Sequence, residues 1–97
     1  MKEIDLSSLE SAFMVKVEGD LDTETYLKKL QEALSLKIES LLRGDMEKLL
    51  WIMYRIDVKD SLVDQAMQLG EVKKIALKLS ELIIERQLKK MNYRQSH

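Results

Sequence analysis

The sequence predicts an all-α domain, a small bundle of four main helices with a short helical or irregular N-terminal arm. Three observations carry this. Leu, Lys, Glu, Met, Ala, Gln and Arg dominate the 97 residues, and all are strong helix formers. Pro is absent and only Gly19, Gly44 and Gly70 occur, which leaves little material for the turns of a sheet protein. Apolar residues recur at spacings of three and four along most of the chain, as the buried stripe of a helix requires. The length suits one domain over residues 1–97, with residues 1–20 as a loosely packed arm. A chain of this size buries only about 60–70% of its unfolded surface, so the core is thin and self-association would add to it.

The arm reads in two ways. Ser7 and Glu10 have capping-box spacing, and Leu9, Ala12 and Phe13 would then line one short helix. Phe13, Val15 and Val17 also alternate with Met14, Lys16 and Glu18, as in a half-buried strand, but a lone strand leaves its backbone groups unpaired. A short helix or irregular arm is therefore expected. Asp22 is a firmer start signal, because its carboxylate can accept from free first-turn amides while Leu21 packs on Tyr26. From there Leu27, Leu30, Leu34, Ile38 and Leu41 mark a helix over about 23–43, stopped by Gly44.

Asp45 caps the next helix, about 45–57, which is the most informative part of the chain. Leu49, Ile52, Met53, Ile56, Met46, Leu50 and Tyr54 sweep an apolar arc of about 200°, wider than a surface helix shows. Leu49, Ile52, Met53 and Ile56 should be the most deeply buried. Trp51 and Val58 fall instead among Glu47, Lys48 and Arg55 on the polar side, so the helix is expected to touch something on two sides. A third helix covers about 61–69 with Leu62, Val63, Ala66, Met67 and Leu69; Asp57, Asp60 or Ser61 could start it, and Gly70 ends it. The last helix, about 71–93, carries one stripe of Val72, Ile75, Ala76, Leu79, Leu82 and Ile83, and a second of Leu77, Ile84, Leu88 and Met91. Two stripes imply two neighbours.

Residues 37–42, then 54–58 (Tyr-Arg-Ile-Asp-Val), then 82–88 (Leu-Ile-Ile-Glu-Arg-Gln-Leu) resemble a family of short, uncharacterised all-helical bacterial proteins. The resemblance covers roughly residues 37–94, and the Tyr54–Val58 string is its most specific part. Family members often carry Ser after that string, where this chain has Lys59. The resemblance implies a small helical protein and transfers no activity.

Net charge is −1, unevenly placed. Residues 1–26 total −5 and residues 71–97 total +4, an asymmetry that suits either a basic nucleic-acid arm or two ends that pair within or between chains. There is no Cys, so disulfides and thiolate metal sites are excluded. No apolar run follows Lys2 and Glu3 as a secretory signal would need, and none approaches the roughly 20 residues of a membrane span, so a cytoplasmic chain is expected.

Nothing specifies a chemistry. The single His is His97, no nucleophile motif or phosphate-cradling glycine loop is present, and the carboxylates mostly have lysines a turn away, such as Glu85 with Lys89. Asp57, Asp60 and Asp64 could share a face toward a hard cation, but three acids at a helix start are explained by capping. Asp20, Asp22 and Glu24 fail as a calcium loop because Thr25 and Gln31 stand where Gly and Glu are needed. Arg43-Gly44-Asp45 is accounted for by the helix stop. No catalytic set, metal or cofactor is therefore expected. The role expected is non-enzymatic: a protein-interaction or structural module, a homodimer whose interface comprises Trp51, Tyr54, Val58, Leu77, Ile84, Leu88 and Met91, with a further protein partner open. The alternative is a nucleic-acid-associated regulator using Arg86, Lys89, Lys90 and Arg94, against which the weak overall field weighs.

Overall fold

In a computed structural model, which describes residues 6–95 and the side chains of residues 6–91, five helices follow one another: α1 (Ser7–Phe13), α2 (Thr23–Gly44), α3 (Met46–Ile56), α4 (Asp60–Met67) and α5 (Val72–Gln95). Among the described residues there is no strand, so the all-helical reading holds. The last four correspond to the expected 23–43, 45–57, 61–69 and 71–93, and α1 realises the arm as a short helix.

Both aspartates identified as start signals cap their helices. The Asp22 carboxylate accepts from the Thr25 amide at 2.7 Å, and that of Asp45 from the Lys48 amide at 3.1 Å. Asp45 also closes α2, its amide donating to the Leu41 carbonyl at 2.8 Å, so a single residue joins α2 to α3. Gly44 remains in the last turn of α2 and does not take up the left-handed conformation, whereas Gly70, ahead of α5, does at φ 85°. None of the expected starts of α4 acts through a side chain. Its cap position is Lys59, and Asp57 is instead the left-handed residue closing α3 at φ 66°.

α2 and α5 form the principal pair, α3 packs on both, α4 lies on α5, and α1 on α2. Buried stripes meet in one core: Tyr26, Leu30, Leu34, Ile38 and Leu41 from α2; Leu49, Ile52, Met53 and Ile56 from α3; Ile75, Ala76, Leu79, Leu82 and Ile83 from α5. Ser80 is fully buried there, and its hydroxyl donates to the Leu77 carbonyl of its own helix at 2.6 Å. The described Cα trace has a radius of gyration of 13.2 Å, about what a compact chain of this length should have.

The arm is fastened by Glu10. The capping-box expectation is not met, because Leu6 holds the cap position without a side-chain bond. The Glu10 carboxylate instead accepts from the hydroxyl of buried Tyr26 on α2 and from the Val17 amide at 3.1 Å. Met14 ends α1 in the left-handed region, and the chain beyond is not helical, with Val15 and Val17 turned inward while Met14, Lys16 and Glu18 face out. Both readings of the arm thus describe part of it. The helix takes residues 7–13, and the alternation survives beyond as an unpaired segment whose Val17 amide is satisfied by a side chain.

Candidate functional site

α3 is amphipathic, but its buried arc is narrower than its sequence implies. Leu49, Ile52, Met53 and Ile56 face the core, whereas Leu50 and Tyr54, neighbours at one edge of the arc, point outward. With Trp51 they make an exposed apolar face: Leu50 is 50%, Trp51 59% and Tyr54 78% exposed. The two rings stack, their centroids 6.4 Å apart and their planes 13° from parallel. Stacking holds both aromatics in place and leaves their outer faces to solvent, an arrangement common where proteins meet.

Val58 does not extend this face. The helix ends at Ile56, the left-handed turn at Asp57 carries the chain round, and Val58 is folded inward at 7% exposure. A projection at helical pitch stops being valid at the residue that breaks the helix. The second stripe of α5 is divided as well: Leu77 is half exposed, Ile84 is buried, and Leu88 and Met91 are partly covered against the core. Its second neighbour is found inside the chain, because α5 contacts α3 and α4 as well as α2. The double stripe therefore needs no second subunit to account for it. Met14 is largely exposed.

The basic end of α5 is not uniformly available. Arg86 bends toward the end of α3, its Nε donating to the Asp57 carbonyl at 3.0 Å and its Nη2 to the Asp57 carboxylate at 3.2 Å. Within Tyr-Arg-Ile-Asp-Val, then, Ile56 and Val58 enter the core, Asp57 makes the turn that Arg86 secures, and Tyr54 and Arg55 face out. Lys89 is exposed; Arg94 lies on α5, but its side chain is outside the described residues, as is His97 altogether. Among the described residues no three acidic or histidine side chains converge as metal ligands, and no helix is long and apolar enough to cross a membrane.

Beside the α3 face, an open groove of about 740 Å³ runs between α1, α3 and α5. Leu9 and Ala12 of α1 and Ile52 and Ile56 of α3 contribute apolar walls. Trp51 stands at its edge, Ser8, Ser11 and Gln87 add neutral polar groups, and Lys48, Arg55 and Lys90 add positive charge. Among the described residues no carboxylate lines it. Gln87 and Ser8 bridge α5 and α1 across 3.4 Å. Trp51, Lys48 and Arg55 share the polar side of α3 in the sequence as well. The contribution of α1 was not legible there, because docking of the arm depends on Glu10 reaching Tyr26, sixteen residues away.

No protein-family model, curated protein or solved structure matches this chain.

Proposed function

We propose that this chain is a non-enzymatic protein-interaction module that forms a homodimer through the outward face of α3. The observation that supports it most is the stacked, exposed Trp51–Tyr54 pair with Leu50 beside it. Single exposed apolar residues are ordinary on a protein surface, but three adjoining ones on a helix otherwise built to bury its apolar side are not. In this reading α2, α3, α4 and α5 act as a four-helix scaffold, α1 and the arm brace it, and the chain works in the cytoplasm. Its kinship is with the small helical bacterial proteins that it resembles at residues 54–58.

Sedimentation velocity tests the dimer. Self-association is expected at micromolar concentration, and Leu50→Glu or Trp51→Ala should weaken it more than either weakens the fold. A purely monomeric species up to about 100 μM, which limits association to less than roughly 5.5 kcal/mol, would defeat the reading. Trp51 is the sole Trp, so its emission reports directly. It should redden on dilution as the ring returns to water. The nucleic-acid reading draws less support, since Arg86 is already engaged by Asp57.

A further inference from the structure

The groove between α1, α3 and α5 has a composition unlike the rest of the chain. The whole sequence is slightly acidic, yet among the described residues three cations and no carboxylate line this concavity. Arg86 has Asp57 and Arg43 has Glu39, but among the described residues Lys48, Arg55 and Lys90 form no ion pair. The Lys48 ammonium lies instead 4.0 Å from the Met14 sulfur. Between the cations the wall is aliphatic and aromatic. Such a site favours a ligand that is apolar along one side and negative along its flanks.

We propose that this groove receives a short acidic amphipathic helix of a partner protein. This rests on the interaction-module reading and adds a second kind of partner beside the second copy. Three features favour a helix. From Lys48 to Ile56 the α3 wall runs about 12 Å, the length of two turns or slightly more. Apolar anchors at helical spacing would lie on Trp51 and Ala12, over the small exposed edges of Ile52 and Ile56, and carboxylates on the flanks would reach Lys48 and Arg55 on one side and Lys90 on the other. An extended peptide has nothing to pair with, because the described residues hold no strand whose edge could accept one. A nucleic-acid strand would use the cations but gain little from the aliphatic wall, and one face of the Trp51 ring is already taken up by Tyr54.

The probe is a labelled synthetic helix of about 15 residues with leucines at i, i+3, i+4 and i+7 and glutamates on both flanks, titrated with the full chain at low salt. Fluorescence anisotropy should give a dissociation constant of about 10–100 μM, weakening with added salt, and Trp51 emission should change along the same curve. The double variant Lys48→Glu/Arg55→Glu should bind at least ~10-fold more weakly, while Lys89→Glu, exposed on α5 but outside the groove lining, should change little. Lys48→Gln/Arg55→Gln, milder at two exposed positions, gives the same test should the charge reversals unfold the chain. The proposal is overturned if no saturable binding appears up to about 1 mM. It is equally overturned if a lysine-for-glutamate peptide binds as well, if Lys89→Glu weakens binding as much as the groove variants, or if a single-stranded oligonucleotide binds in preference. Leu50 and Tyr54 lie outside the groove, so Leu50→Glu separates the two ideas. Peptide binding by a chain that never dimerises removes only the homodimer, and an intact dimer that ignores the peptide removes only the groove.

Discussion

Ile52 shows how directly a residue's place in α3 sets its energetic weight. It faces the core at 6% exposure, one position from Trp51 on the outside. Ile52→Ala is expected to cost about 2–5 kcal/mol in chemical denaturation, the lost transfer energy together with the cavity left behind. A loss under about 1 kcal/mol would mean that α3 sits the other way round. The glycines make an opposed pair. Gly44 lies in helical backbone with open space where a Cβ would go, so Gly44→Ala should stabilise by about 0.4–1 kcal/mol. Gly70 at φ 85° also has open space around it, but its backbone conformation penalises any Cβ, and Gly70→Ala should destabilise by about 1–2 kcal/mol. Thermal melts of the two variants should move in opposite directions. Glu10 is the residue whose task was least legible. Its spacing from Ser7 fits a capping box, and only the fold brings the Tyr26 hydroxyl and the Val17 amide to it as better partners.

At the scale of elements, the starts with side-chain caps could be read from the sequence, whereas for α4 the helix was legible and the residue at its cap was not. Asp22 and Asp45 each stand immediately before a periodic apolar run, which marks both starts. α4 begins at Lys59, whose side chain offers no acceptor to its first amides, while Asp57 is diverted into closing α3. Its backbone at φ −56° and ψ 130° is already suited to a cap. Lys59→Ser should therefore stabilise the chain by about 0.5–1 kcal/mol, read as a higher melting temperature, and an unchanged or lower one would refute the assignment. The Asp22 cap has a signature in acid. Its carboxyl is held below its ordinary value of 3.8 by the backbone amide of Thr25 first and the Thr25 hydroxyl second. A folded value below the unfolded one means that the stabilisation is complete above the unfolded pKa and is lost as pH falls through the folded one. Melting temperatures followed downward from about pH 5 should fall less steeply in Asp22→Asn, which keeps a cap oxygen but cannot titrate. The double stripe of α5 was legible as two neighbours; that both belong to the same chain is a matter of tertiary arrangement, which helical periodicity does not encode.

For the whole molecule, periodicity located the core and left the surface ambiguous. The same projection that buried Leu49, Ile52, Met53 and Ile56 also placed Leu50 and Tyr54 inward, because an arc of apolar residues does not reveal how much of it the neighbouring helices cover. α2 and α5 leave one edge of it, Leu50 and Tyr54, uncovered, and that edge joins Trp51 to form the outward face. The cationic groove needs three elements from distant parts of the chain, α1, α3 and α5, and so lies beyond any reading of local pattern.

The joint at Asp45 gives this architecture a second way to pair. Only one residue interrupts two helices, and were it to become helical, residues 23–56 would form a single rod of about 50 Å. The α3–α5 half would swing away from its own α2 and could settle against the α2 of another chain, each copy completing the other by exchange of identical parts. Gly44, a poor helix former, and the Asp45 carboxylate, which begins a new helix, both oppose that continuity. Gly44→Ala with Asp45→Ala removes both obstacles. The double variant should accumulate an exchanged dimer that survives dilution for hours, since undoing it requires the core to open, whereas a dimer held by the surface of α3 separates as soon as it is diluted. Size-exclusion chromatography at intervals after dilution distinguishes them, and a double variant that remains monomeric would show that the packing around the joint, rather than its two residues, keeps the rod from forming.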